Sequence, residues 1–447
     1  MLFDWYKVGR TMKKTSSLAL APLFVFLCLF IGVGSYYSYL GVEYAFYKLP
    51  APVAILPAII LAFVLNGVLN KAKVNQTLES FMKGVGHPDI IAMCLIYLLA
   101  GAFAAVAKAS GGVDATLNLG LSVIPSSLIL PGLFLITAFI ATAMGTSMGT
   151  IAAISPIAFG LGETMNLPLV AGVVLSGAMF GDNLSIISDT TIAATRSQGC
   201  QMKDKFTENI KIALPAALIT LVVFFFLGQL KELPPVQSIE WLKVLPYLSI
   251  LILAVLGVNV FVVLSFGILF AGIVGMSTLS AYGLSEFASD IYSGFGNMQE
   301  IFLLSMLIGG LSELMRRQGG LDFLTELVNR LMSAVNSHPS QKSKRSAEIG
   351  IGILVSIINI CTANNTVAII VSGSVAKKLA QENQISAKRS ASLLDIFSCV
   401  FQGVLPYGAQ ILLVGSAFKL APFEIISHSY YCFILAIVTI ASIISGT

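Results

Sequence analysis

The chain has 447 residues, 56% of them hydrophobic and only 11% charged, where a soluble domain carries roughly a quarter charged residues. The apolar residues come in repeated runs close to the ~20 residues that cross a bilayer core, which excludes soluble, disordered and disulfide-scaffold classes. The composition is that of an all-α polytopic membrane protein, and its net charge of +4 fits basic loops against anionic membrane lipid, with no nucleic-acid partner. Six cysteines stand singly with no CxxC or Cys/His cluster, so neither a structural metal nor any cofactor is expected.

Residues 1–17 carry Lys7, Arg10, Lys13 and Lys14 and read as a cytoplasmic N-terminal segment. Apolar runs follow near 18–36, 52–69, 90–107, 127–160, 168–196 and 209–229. After a linker at 230–243, expected outside, more runs lie near 244–257, 259–277, 298–315, 346–380, 390–418 and 424–445. Runs 127–160 and 346–380 are too long for one crossing and polar in the middle, so each is expected to be a re-entrant hairpin. With both treated so, 21 of the 26 basic residues, Lys203, Lys205 and Lys211 among them, sort to the inside. That distribution predicts about ten transmembrane helices with both termini cytoplasmic.

The order of elements in 18–229 recurs in 244–445, and five crossings per half make the second half enter from the opposite side. Two inverted-topology repeats are therefore expected, each with a hairpin and an interrupted helix, at 168–196 and at 390–418. The stretch from Thr146 to Ala152 lies on that from Thr362 to Ala368, and Asp182 lies on Asp395. Inverted repeats with broken helices at corresponding places point to a secondary transporter with a midplane site.

The most informative stretch is 181–199, GDNLSIISDTTIAATRSQG, with Asp182, Asn183, Ser185, Ser188, Asp189 and Thr190 inside an apolar run. A carboxylate at membrane depth costs several kcal/mol unless paired, coordinated or protonated. Seven positions separate the two aspartates, so a continuous helix puts both on one face, while an unwound middle frees backbone carbonyls. Oxygen-only ligands suit a hard cation, and a desolvated carboxylate can exchange a proton for it.

The first hairpin adds Thr146, Ser147, Gly149 and Thr150 at its centre, completing an ion-binding and proton-coupling set. The second half offers Thr362, Asn364, Asn365, Thr366, Asp395, Ser398, Gln402, Pro406 and Gly408 as an ion or substrate site. Gln402 stands where the first half has Asp189, so the halves are not chemically equivalent. An enzyme needs a nucleophile–base set or metal ligands, and the chain has no HExxH, no GxSxG and no deep histidine.

At these residues the chain resembles the NhaC family of sodium/proton antiporters. GDNLSIISDTT (181–191) is similar to that family's GD-x-x-S-x-x-SDTT pattern, and LPYGAQ (405–410) to its Pro-aromatic-Gly-Ala signature. The resemblance implies a Na+/H+ exchanger in a prokaryotic cytoplasmic (inner) membrane, working as a homodimer. Asn364-Asn365-Thr366 also looks like the hairpin tips of superfamily members that carry carboxylates. The expected function is Na+/H+ antiport by alternating access, with coupled transport of a small amino acid or carboxylate as the alternative.

Overall fold

The computed structural model describes residues 16–40, 42, 48–123, 125, 128–186, 188–228, 240–256, 258–335 and 342–446. Most of the expected 1–17 segment and of the 230–243 linker lies outside the described residues. Among the described residues every regular element is helical.

In chain order these are α1 (Ala21–Tyr39), α2 (Ala51–Ala54), α3 (Leu56–Asn70), α4 (Val74–Val85), α5 (Pro88–Ala109) and α6 (Gly112–Val123). Next come α7 (Ile129–Met144), α8 (Ser147–Thr164), α9 (Leu167–Leu184), α10 (Asp189–Gln198) and α11 (Met202–Leu227). The chain continues through α12 (Trp241–Val255), α13 (Val260–Thr278), α14 (Leu284–Asn297), α15 (Gln299–Arg317) and α16 (Gly320–Val335). It ends with α17 (Lys342–Thr362), α18 (Asn365–Glu382), α19 (Ala387–Gln402), α20 (Ala409–Phe418), α21 (Pro422–Ile426) and α22 (Tyr430–Ser445).

Among the described residues seven helices are long and apolar enough to cross a membrane, or eight if α14 and α15, bent by 45° at their junction, form one span. This is fewer than the ten crossings expected. Expected spans 244–257 and 424–445 are realised as helices of 15 and 16 residues, short of the ~20 that a straight crossing needs. The first arm of the expected hairpin 346–380 contains a 19-residue apolar stretch, Lys344–Thr362, long enough to cross by itself. Helices α4, α14 and α16 were not anticipated, because their polar and apolar residues alternate at helical spacing and no apolar run marks them.

The chain divides into two compact units. The smaller holds residues up to His87 together with Met306–Leu331. In it, buried Asn66 of α3 donates to Thr77 of α4 at 2.8 Å, and Gln318 donates to the Ala62 carbonyl at 2.8 Å. Gly84 of α4 lies against α15 so closely that a Cβ there would meet the Gly309 carbonyl at 2.3 Å.

The larger unit, Pro88–Ser305 and Met332–Thr447, contains every candidate site residue. Its core includes Phe134, Phe180, Phe224 and Tyr431, from α7, α9, α11 and α22, with ring centroids 5.4–6.4 Å apart in the contacting pairs. Gly177 and Gly181, one turn apart on α9, bring its backbone against α7: Cβ atoms there would meet the Phe134 and Ala138 carbonyls at 2.7 and 2.2 Å. Small residues spaced by four are what such close helix packing requires.

Four breaks shape this unit. Helix α7 stops at Gly145, whose φ of 68° lies in the left-handed region that favours glycine, and Thr146 caps α8 by accepting from the Gly149 amide. The break between α17 and α18 is built alike: Ala363 has φ 50°, and Asn364 Oδ1 accepts from the Val367 amide at 3.0 Å. These matching caps pair Thr146 with Asn364, two positions away from the pairing with Thr362 that the sequence match suggested. Helix α9 ends at Leu184 and α10 restarts at Asp189 behind the Ser188 cap, while α19 and α20 are separated by Gly403–Gly408 with Pro406 inside.

Candidate cation site

Because α9 stops at Leu184, the carbonyls of its last turn lack their intrahelical amide partners. The Asn183 carbonyl accepts instead from Lys205 Nζ at 2.7 Å and from Asn209 Nδ2 at 3.0 Å, both on α11. The Ser185 carbonyl accepts from Thr191 Oγ1 at 2.7 Å. The interrupted middle considered from the sequence is the arrangement found.

Asp395 of α19, 1% exposed, receives three donors on one oxygen. Lys205 Nζ lies 2.7 Å from Oδ2, Asn209 Nδ2 donates at 2.8 Å and Asn183 Nδ2 at 2.9 Å. Lys205 is itself fully buried, and its third close oxygen is Thr191 Oγ1 at 2.7 Å. Burying the two charges is costly, and the pairing with added hydrogen bonds offsets that cost.

Asp182 is 7% exposed and meets a different set. Ser147 Oγ, at the start of α8, donates to its Oδ2 at 2.7 Å, the short length typical of a hydroxyl on a carboxylate. Gln410 Nε2 of α20 donates to Ser147 Oγ at 3.1 Å, and Gln402 Nε2 donates to Gln410 Oε1 at 2.8 Å and to the Ala363 carbonyl at 3.3 Å. Among the described residues no Lys, Arg or His forms an ion pair with Asp182.

Among the described residues of this larger unit four buried amide oxygens, Asn183 Oδ1, Asn209 Oδ1, Asn359 Oδ1 and Gln402 Oε1, find no donor. A buried acceptor without a partner is costly, and oxygens of this kind are ligands for a hard cation.

The remaining expected residues divide into those drawn into the network and those held elsewhere. Ser188, fully buried, shares its hydroxyl with Thr190 and Thr191, and Ser185 Oγ donates to the Thr142 carbonyl. Asp189 is exposed at the first position of α10, so the break leaves it in surroundings unlike those of Asp182. Thr150 donates back to the Thr146 carbonyl. Gly149 permits close packing, since a Cβ there would meet Val260 Cγ2 at 2.6 Å.

In the second half Ser398 Oγ donates to the Asp395 carbonyl and its own carbonyl accepts from Asn359. Thr362 donates to the Ile358 and Asn364 carbonyls. Asn364 is spent as a cap, Asn365 Oδ1 accepts from the Thr366 amide, and Thr366 is half-buried beside them. Pro406 and Gly408 belong to the break before α20, which Tyr407 anchors to the Ile360 carbonyl at 2.6 Å.

Sequence reasoning missed Lys205, Asn209, Asn359 and Gln410. Lys205 and Asn209 stand one helical turn apart on α11, and that spacing, beside a deep aspartate in need of a cation, is the signal that would have found them.

A helical chain with several membrane-length spans, broken helices and a buried polar centre is a multi-pass membrane protein. The profile of the Na+/H+ antiporter family matches residues 53–229, and the chain is a homologue of the NhaC proteins, which makes it a secondary transporter and not an enzyme. It is 26% identical to the Na+/H+ antiporter NhaC of Bacillus subtilis over 399 residues, 81% of this chain and 86% of the relative. It is 37% identical over 136 residues to the malate-2H+/Na+-lactate antiporter of Bacillus subtilis, 30% of this chain and 29% of the relative. The arginine/ornithine antiporter ArcD of Halobacterium salinarum is 23% identical over 420 residues, 85% of this chain and 84% of the relative. The family implies Na+ and H+ as the transported ions.

Proposed function

We propose that the chain exchanges Na+ for H+ by alternating access, with Asp182 the carboxylate that takes the cation and the proton in turn. The observation that carries this reading is the contrast between two buried aspartates: Asp395 has Lys205 as a permanent counter-charge, whereas Asp182 has a neutral hydroxyl donor. A carboxylate at membrane depth without a paired cation is stable when protonated or metal-bound. Either ligand therefore displaces the other, and that competition couples their flows without ATP.

The same reading places the chain in a prokaryotic cytoplasmic membrane with both termini inside, each chain built of two inverted repeats, 18–229 and 244–445, and paired with a second copy as a homodimer. Its supports are the sorting of basic residues and the recurring order of two broken helix pairs and a closing helix, α7 to α11 and α17 to α22. Coupled transport of an amino acid or carboxylate is favoured by the names of two relatives. Against it here, the oxygens of Asn364 and Asn365 are already engaged by backbone amides.

The test is proton movement driven by a Na+ gradient in proteoliposomes, read with a pH-sensitive dye. Exchange in the wild type that Asp182→Asn abolishes supports the reading. No proton movement with folded wild-type protein overturns it and favours organic-solute exchange, whose uptake Asn365→Ala should then reduce.

A further inference from the structure

The surroundings of Lys205 Nζ have the donor set of a monovalent-cation site: a carboxylate oxygen of Asp395, the Asn183 main-chain carbonyl and the Thr191 hydroxyl, each at 2.7 Å. An ammonium has three protons to donate, and all three have an oxygen. The carbonyl end of α9, the negative pole of its dipole, supplies one of these oxygens. Half-helix C-termini and freed carbonyls serve the same purpose for Na+ in broken-helix carriers.

We infer that this is a second monovalent-cation site, kept filled by the tethered ammonium of Lys205 in place of a free ion. The inference deepens the Asp182 reading by fixing how many cations the chain can load. With Lys205 in place, Asp395 is neutralised by a charge that the chain cannot release, so only Asp182 is open to Na+. The cage survives removal of the ammonium, because Asn209 and Asn183 hold the Asp395 carboxylate from their own helices. Asn209 and Asn183 each also keep an unpartnered side-chain oxygen next to it.

The experiment is equilibrium binding of radioactive Na+ to purified full-length protein in detergent, with Lys205→Ala and Lys205→Ala/Asp395→Asn beside the wild type. The expected result is one saturable Na+ per wild-type chain, two for Lys205→Ala and one again for the double variant. Equal stoichiometry in wild type and Lys205→Ala overturns the inference and leaves Asp182 untouched. No Na+ in the wild type with one in Lys205→Ala sinks the Asp182 reading and keeps the second site. Since Lys205→Ala leaves a buried carboxylate uncompensated, its melting temperature is measured in NaCl and in choline chloride. Stabilisation by Na+ that the double variant lacks supports the site, and identical melting in both salts overturns it.

Discussion

Ser147 and Gln410 are 263 residues apart in the chain and joined by a hydrogen bond of 3.1 Å. Ser147 opens α8 immediately after one break, and Gln410 stands in the first turn of α20 immediately after another. Through Ser147 the two restarted helices converge on Asp182, so three broken segments define the position of one carboxylate.

Replacing Ser147 by alanine removes the hydroxyl that Asp182 accepts and leaves Gln410 Nε2 without this acceptor. A hydrogen bond to a charged group contributes about 1.5–3 kcal/mol, so the Na+ concentration for half-maximal exchange should move by roughly tenfold or more. Na+ titrations of proton flux in proteoliposomes measure it, and an unchanged half-saturation would remove Ser147 from the site.

Asp182 and Asp189 should separate under the same substitution. Asp182→Asn abolishes exchange, whereas Asp189→Asn acts on an exposed residue at the start of α10, where a negative charge contributes about 0.3–1 kcal/mol through the helix dipole. Half-saturation in Asp189→Asn should stay within roughly fivefold of wild type. Loss of exchange in both variants would make Asp189 a second obligatory carboxylate.

The contact between α7 and α9 leaves no room at Gly181, where an added Cβ would lie 2.2 Å from the Ala138 carbonyl. Gly181→Val should lower folding yield and melting temperature, since overpacking costs about 1–3 kcal/mol or more. Gly296→Ala is the contrast: nothing lies within 4 Å of its Cβ position, and alanine is the better helix former by roughly 0.5–1 kcal/mol. Thermal melting in detergent should rank the two variants on opposite sides of wild type.

Arg389 of α19 is buried with Glu348 at 3.2 Å and Glu208 at 4.0 Å. Arg389→Ala takes the counter-charge from buried Glu348, a change that costs about 3–5 kcal/mol, while Glu208 keeps Lys211 and Lys388. Lys211, 60% exposed and 3.3 Å from the same Glu208, should cost about 1 kcal/mol or less when replaced by alanine. Comparable melting temperatures for the two variants would show that Arg389 carries no more than a surface pair.

Much of this was legible in the sequence because membrane depth makes polar residues conspicuous. Asp182, Asn183 and Asp395 stand out against apolar neighbours, and glycine, proline and capping residues mark all four breaks. Lys205 was not legible for the opposite reason. It sits in Met202-Lys203-Asp204-Lys205, where local charge density suggests a solvated loop, and only the fold turns that one side chain inward along α11. The sequence match of the two hairpins likewise settled on Thr362, because hydroxyl pairs with hydroxyl, whereas the cap that Asn364 supplies depends on backbone geometry. Spans 244–257 and 424–445 were overestimated because hydropathy reports an apolar run and not where its helix begins.

An ion pair has no net charge, so a voltage across the membrane exerts no net force on Lys205 and Asp395 taken together. Asp182, with no ion-pair partner among the described residues, is the group at this centre on which the field can act whenever it is ionised and empty, with a work term of about 2.3 kcal/mol per full charge carried across 100 mV. The short bond between Lys205 and Asp395 thus shields one half of the polar centre from the membrane potential and leaves the other half exposed to it.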